Sequence, residues 1–371
     1  MSSSDKVGVL IIGGGIIGLS IAYYLSRRDF SSVLLLERDE ELTLHASGHN
    51  AGGIASVHES RPLLAPLIRE TQKLYAELIE AQHFEFDFER NGTISLDPSL
   101  DEKSTERVAR RFKEESGGAI EFLDASDLEK REPNLSTKFV SYAVYYPDDA
   151  QGNSKKLGQC FSRACQNSGI EIRTGAEVLS FEVGRQRITK VKTTSGSYVP
   201  DIVVVAAGPW SGALSEKLGF RVPVSPIKGH LITTESSDRF VHSFIDGPHY
   251  YVMQTITGNL VVGGGEDDAG FDLSLSDMRI REAWAEGTAM LPRLSTLNQE
   301  AKIACLRPYA PGGIPILGKS TRFSNVLFAT GHFRNGFCLA PVTGKIISDL
   351  IVDGESKIDI TPYSPDKFNG K

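Results

Sequence analysis

Residues 7–38 read VGVLIIGGGIIGLSIAYYLSRRDFSSVLLLER, and this stretch decides the fold. VGVLII is a continuous apolar run, as a parallel strand buried on both faces requires. GGGIIG follows at 13–18, then the helical stretch LSIAYYLSRR, then a second apolar strand at 33–36 that ends on Glu37. Each glycine has a separate task in such a βαβ unit. Gly13 permits the tight turn, Gly15 lets the backbone approach a pyrophosphate, and Gly18 lets the helix pack on the strand. The helix N-terminus offers amides to the phosphates. Glu37, 19 residues past Gly18, stands where it can accept hydrogen bonds from a ribose. The fingerprint predicts a bound dinucleotide, flavin or nicotinamide.

The rest of the composition bounds the class. A chain of 371 residues is long enough for two domains. With 40% apolar and 23% charged residues it reads as globular. A net charge of −7 argues against a nucleic-acid or anionic-membrane surface. No segment approaches the roughly 20 uninterrupted apolar residues of a membrane span. The N-terminus has no basic n-region, so its apolar run reads as a strand and not as a secretion signal. The four cysteines lack CxxC or Cys/His spacing, which implies a reduced, cytoplasmic chain. His45 and His49 have no third ligand nearby in sequence, so no metal is expected.

Further along, 62–81 reads as an amphipathic helix and Asn91-Gly92 as a hairpin signal. Ser126 and Glu129 spell a capping box opening a short helix. A helix is expected over 154–168, then strands near 171–174, 177–183, 188–194 and 198–205. From 226 to 263 the pattern turns antiparallel, with HYYVM and NLVVGGG joined at Thr257-Gly258-Asn259. Period 2 on HYYVM sets Tyr250 and Tyr251 on opposite faces. A helix over 276–291, a buried strand over 325–331 and a helix over 340–352 complete the chain. Dinucleotide-type elements at the start, middle and end, with antiparallel material between, imply one discontinuous cofactor domain. The expected boundaries are 1–88, 142–222 and 306–371 for that domain, and 89–141 and 223–305 for an α+β substrate domain.

Several segments resemble one family. GGGIIGLSIAYYLSRR, DIVVVAAGPWSG, PIKGH, ACLRP and GHFRNGFCLAPVTGKIISDLI are similar to the glycine oxidase, sarcosine oxidase and D-amino acid oxidase superfamily of FAD enzymes, and most similar to glycine oxidase. The resemblance implies an α/β fold with a Rossmann-like FAD domain of the glutathione-reductase type and a substrate domain carrying an antiparallel sheet. It implies oxidation of the amine of a small amino or imino acid by hydride transfer to flavin N5, with oxygen or a quinone- or dye-type acceptor taking the electrons. Gly13, Gly15 and Ile16 would lie along the pyrophosphate, and Glu37 and Arg38 at the ribose. Ala46, Ser47, Ala51, Gly52 and Gly53 would pass the isoalloxazine, and Val178 the adenine. His332, Phe333, Arg334, Asn335, Gly336 and Phe337 would wrap the pyrimidine end of the flavin. Arg307 matches the arginine that binds the substrate carboxylate, a task suited to its planar fork, and Tyr251 matches its tyrosine partner. No dedicated catalytic base is assigned.

Some features depart from the family. Where it often continues LRP with a Thr and an Asp-Gly pair, this chain has YAPGG, so Tyr309 is expected to shape the pocket. Between Asn259 and Ser276 there is no lysine; Glu266, Asp267, Asp268 and Asp272 read as a solvated acidic loop. Cys305 and His45 each stand where a related enzyme tethers its flavin, with Cys305 as a small buried residue the preferred reading. GHNAGG resembles a loop of 2-hydroxyglutarate dehydrogenases, which keeps a 2-hydroxy acid enzyme as an alternative. An FAD subunit of a multi-subunit amino acid dehydrogenase is another, so a homo-oligomer or partner subunits are both open. KIACLRPYAPGGIPILGKS at 302–320 contains a Walker A spelling, but Pro315 interrupts it and a strand, not a helix, follows Lys319-Ser320. That segment reads as a strand that delivers Arg307.

Overall fold

The computed structural model describes residues 5–30, 32–54, 62–81, 84–97, 101–116, 119–140 and 142–368. Its strands form two large sheets. The first runs in the order Ile316–Lys319, Val326–Thr330, Gly196–Val205, Asp5–Ile12, Val33–Leu36, Glu171–Arg173. All neighbours in it are parallel except the first pair. Parallel sheets need cover on both faces, and Asp5–Ile12 shows why this sequence supplies it. Val9 and Ile11 point into a core with helices Ile16–Ser26, Ala65–Glu80, Ser154–Asn167 and Ala340–Val352. Leu10 and Ile12 point the other way, into a second core reached by the antiparallel strands Val178–Gly184 and Arg187–Thr193.

The second sheet runs Gln299–Tyr309, Ser225–Ser236, Asn259–Asp267, Tyr250–Gln254, Phe244–Asp246, Thr93–Leu96, Tyr142–Tyr146, Glu121–Asp124. One face packs on helix Asp277–Met290 through Ile232, Val252, Val262 and Ile280. The other carries Leu231, Phe244, Met253 and Val261 with Tyr251 and Ala51 beside them. A small pairing of Gly53–Ile54 with Ala150–Gln151 adds a third piece.

Several local expectations change. Asn91-Gly92 makes no hairpin: Gly92 is a left-handed bend, and Thr93–Leu96 pairs with Phe244–Asp246 and Tyr142–Tyr146. The helix Ala125–Arg131 is capped by Asp124, whose side chain accepts from the Asp127 amide, and the Ser126/Glu129 box is not used. The helix Glu102–Ser116 and the strand Ile316–Lys319 were not foreseen. Among the described residues no helix is long and apolar enough to cross a membrane.

Candidate active site

One cavity lies between the two sheets, and every residue that the resemblance assigns to cofactor or substrate lines it, as do His45 and Cys305. Its floor at one end is the glycine loop. A side chain on Gly13, whose φ is +118°, would overlap the Ala206 carbonyl. One on Gly18 would overlap the Gly13 carbonyl, so helix and strand approach as the fingerprint requires. Two amides near the helix start are already bonded within the protein. Gly14 donates to Glu37 Oε2 at 2.7 Å and Ile16 donates to Ser47 Oγ at 3.0 Å. Glu37 also accepts from the Asp39 amide at 3.0 Å, so its carboxylate is oriented by backbone before any ribose reaches it.

Next to it, Arg38 stacks its guanidinium 3.8 Å from the centre of the Trp210 ring. His45 is turned into the same cluster. Its Nε2 lies 2.7 Å from Asp39 Oδ2, and its ring centre lies 4.6 Å from that of Trp210. Burial works to raise the Asp39 carboxyl, but His45 and Arg38 outweigh it and hold the group below the ordinary carboxylate range. These bonds fix His45 beside Arg38. Among the described residues no three metal-ligating side chains assemble.

The loop 45–53 is knotted by Asn50, which sequence reasoning missed. Its amide donates to the Ala46 and Ser47 carbonyls and to Ser154 Oγ, and its Oδ1 accepts from the Gly52 amide at 2.8 Å. Gly52 has φ +77° and abuts the Gly152 carbonyl. The Val178 carbonyl accepts from Lys217 Nζ at 3.0 Å.

The turn 332–339 closes the other end. The His332 ring is bonded to Thr343 Oγ1 at 2.9 Å, and burial lowers its pKa to about 3, so it is neutral. Among the described residues Asn335 Nδ2 is buried without a hydrogen-bond partner, on a residue that lines the cavity. The Phe337 carbonyl accepts from Tyr75 and the Cys338 carbonyl from Thr71. Phe333 holds φ +52°, and its amide donates to the Pro308 carbonyl at 2.8 Å while His332 bridges to Tyr309. The loop is thereby attached to the end of the strand that carries Arg307. Glycine clearance at one end and an unanswered buried donor at the other fit an elongated dinucleotide.

Arg307 and Tyr251 face the same cavity from the second sheet. Tyr250 points to the opposite core and donates to Glu282 at 3.1 Å. Burial raises the Tyr251 phenol well above its ordinary value despite the pull of Arg307, so it is a donor. Arg307 gives Nη1 to the Gly265 carbonyl at 2.6 Å and Nη2 to that of Gly264 at 3.4 Å. Both glycines have positive φ. Among the described residues no carboxylate pairs with Arg307. Its guanidinium occupies the space above Gly229, and Tyr251 Oη occupies the space above Gly263. These glycines were not recognised as part of the site; their signal was their cross-strand position, visible only with the register.

Two expectations are corrected, and Cys305 is found as preferred. Tyr309 does not line the cavity; its ring packs edge-to-face on Phe333 at 5.1 Å. The acidic loop is not simply solvated: Glu266 pairs with Arg334, Asp267 with Arg279 at 2.6 Å, and Asp272 with the buried Lys228 at 2.7 Å. Arg334 is thus held from its side chain by Glu266. Cys305 is buried; desolvation pushes its thiol up, with Arg307 only partly offsetting it.

The profile of the family described as DAO, FAD dependent oxidoreductase, matches residues 8–350. Glycine oxidase of Pseudomonas putida is 28% identical over 96% of this chain and 98% of its own. Hydrogen cyanide synthase subunit HcnC of Pseudomonas aeruginosa is 27% identical over 97% and 96%. Among solved structures, L-proline dehydrogenase from P. horikoshii superposes with a TM-score of 0.92 at 23% identity, covering 99% of both chains.

Proposed function

From the premise that the chain belongs to the FAD-dependent oxidoreductases of the DAO family, we propose that it oxidises the amine of a small amino or imino acid. The observation that carries this reading is Arg307. Its guanidinium is fixed by two neutral carbonyls and has no counter-ion among the described residues, beside a phenol donor, in the cavity that suits the cofactor. A half-buried cation so placed takes an anion of matching geometry, and a carboxylate fits the fork.

Gly13, Gly15, Ile16, Glu37, Arg38 and Val178 would hold the adenosine and pyrophosphate. Ala46, Ser47, Ala51, Gly52 and Gly53 would pass the ring system, and His332, Phe333, Arg334, Asn335, Gly336 and Phe337 its pyrimidine end. Bound FAD supplies the hydride acceptor. Arg307 and Tyr251 hold the carboxylate, so the carbon between carboxylate and nitrogen is positioned for transfer. The C=N product leaves to hydrolyse in water. The neutral His332 adds no charge to this end of the cavity.

The test is anaerobic bleaching of the bound flavin by glycine, sarcosine, D-alanine, D-proline, L-proline and 2-hydroxy acids in turn. Bleaching by an amino or imino acid that is lost in Arg307→Ala supports the reading. Bleaching by 2-hydroxy acids alone overturns it. Repeating the active compounds in air separates oxygen from a quinone- or dye-type acceptor. A second reading, the FAD subunit of a larger dehydrogenase, is favoured by the similarity to a protein named as a synthase subunit. Dye-linked turnover by the isolated chain would argue against an obligate partner.

A further inference from the structure

The cavity wall carries a second unanswered charge. Asp246 is the cross-strand partner of Tyr251, so the two side chains share the cavity face of the sheet. Asp246 retains some accessible surface, and it lines the cavity. Among the described residues no hydrogen bond reaches its carboxylate. Arg334, the nearest cation it feels, is already paired with Glu266. Arg307, on the same face, is a cation bonded only to carbonyls. One wall therefore presents a positive and a negative group, neither neutralised by a dedicated partner among the described residues. Half-buried charges left this way give up hydration that a ligand can replace, and the molecule that completes both is a zwitterion.

We infer that Asp246 is a specificity-determining residue that receives the substrate's cationic nitrogen while Arg307 and Tyr251 take its carboxylate, so that the site selects α-amino and α-imino acids over carboxylic and hydroxy acids. This rests on the proposed function and narrows it. Burial raises the Asp246 carboxyl to about 6, with Arg334 pulling it down and Glu286 pushing it up. Tyr251, its cross-strand neighbour, stays a phenol. The carboxylate is thus ionised at neutral pH and is discharged under mildly acid conditions, where an amino acid is still zwitterionic.

The experiment is calorimetric titration of the reduced, FAD-loaded protein, which binds an amino acid without being able to oxidise it. The ligands are two matched pairs, glycine with acetate and proline with cyclopentanecarboxylate. Wild type is expected to prefer the amino acid in at least one pair by about 10-fold or more, the loss associated with removing one member of a charged pair. Asp246→Asn should abolish that preference while the plain carboxylate binds as well or better, which also reports an intact fold. A preference that survives in Asp246→Asn overturns the inference and leaves the carboxylate site standing. If none of the four ligands binds wild type, the amino acid reading falls with it. A second measurement needs no variant: the wild-type preference should disappear as the pH is lowered through about 6. A constant preference from pH 8 to pH 5 overturns the inference.

Discussion

The guanidinium of Arg307 occupies the space that a side chain on Gly229 would fill. The two residues lie on adjacent antiparallel strands, with Gly229 opposite Cys305 and Arg307 two positions further along. Gly229→Ala should therefore act on substrate binding without touching substrate. We expect the amino acid KM to rise at least ~10-fold, from displaced charge-assisted hydrogen bonds, with bound flavin unchanged. Steady-state kinetics beside flavin content checks this; an unaltered KM refutes the packing argument.

Tyr251 offers a finer probe. Removing its hydroxyl in Tyr251→Phe keeps the ring against Phe244, whose centre is 5.2 Å away, and deletes one donor. A hydrogen bond to a charged group contributes about 1.5–3 kcal/mol, so KM should rise by roughly 10- to 150-fold. Binding of a simple carboxylate inhibitor should weaken in parallel. An equal KM in both proteins would remove Tyr251 from the carboxylate site.

His332 makes stability depend on pH. Its folded pKa, about 3, lies below the ordinary histidine value of 6.5, so the unfolded chain takes up a proton that the folded chain refuses. Stability from this residue is complete above pH 6.5 and declines as the pH falls from 6.5 toward 3. Denaturant titrations should show a flatter pH dependence for His332→Gln over that window than for wild type. Parallel curves would show that the ring is protonated in place.

Cys305 bears on how the flavin is retained. Alkylation and thioether formation need the thiolate, and burial holds this thiol protonated. Acid precipitation of the flavin-loaded protein should leave a colourless pellet and a yellow supernatant. A yellow pellet that turns colourless in Cys305→Ser would establish a tether.

Much of the first sheet and its helices was legible because its signals are local. The run 7–38 contains its own strand, turn glycines, helix and acid, and helix Ala340–Val352 appeared with the bounds read from sequence. Tyr251 and Arg307 were legible through resemblance and the period of a strand. What escaped depends on register between distant segments. Asp246 meets Tyr251 across a hairpin, Gly229 lies under Arg307 across two strands, and Asn50 reaches Ser154 from another part of the chain. Helix Glu102–Ser116 escaped for another reason: its sequence is dominated by charged residues and leaves only a thin apolar stripe.

The attachment of the loop 332–337 to the strand end at Pro308 and Tyr309 has a mechanical consequence. The bond from Phe333 N–H to the Pro308 carbonyl is made by main chain. If that loop holds the ring and Arg307 the carboxylate, as proposed, the spacing between them rests on main chain and is insulated from mutation of neighbouring side chains. Side chains on the cavity wall, Asp246 among them, can therefore be substituted without touching that main-chain attachment.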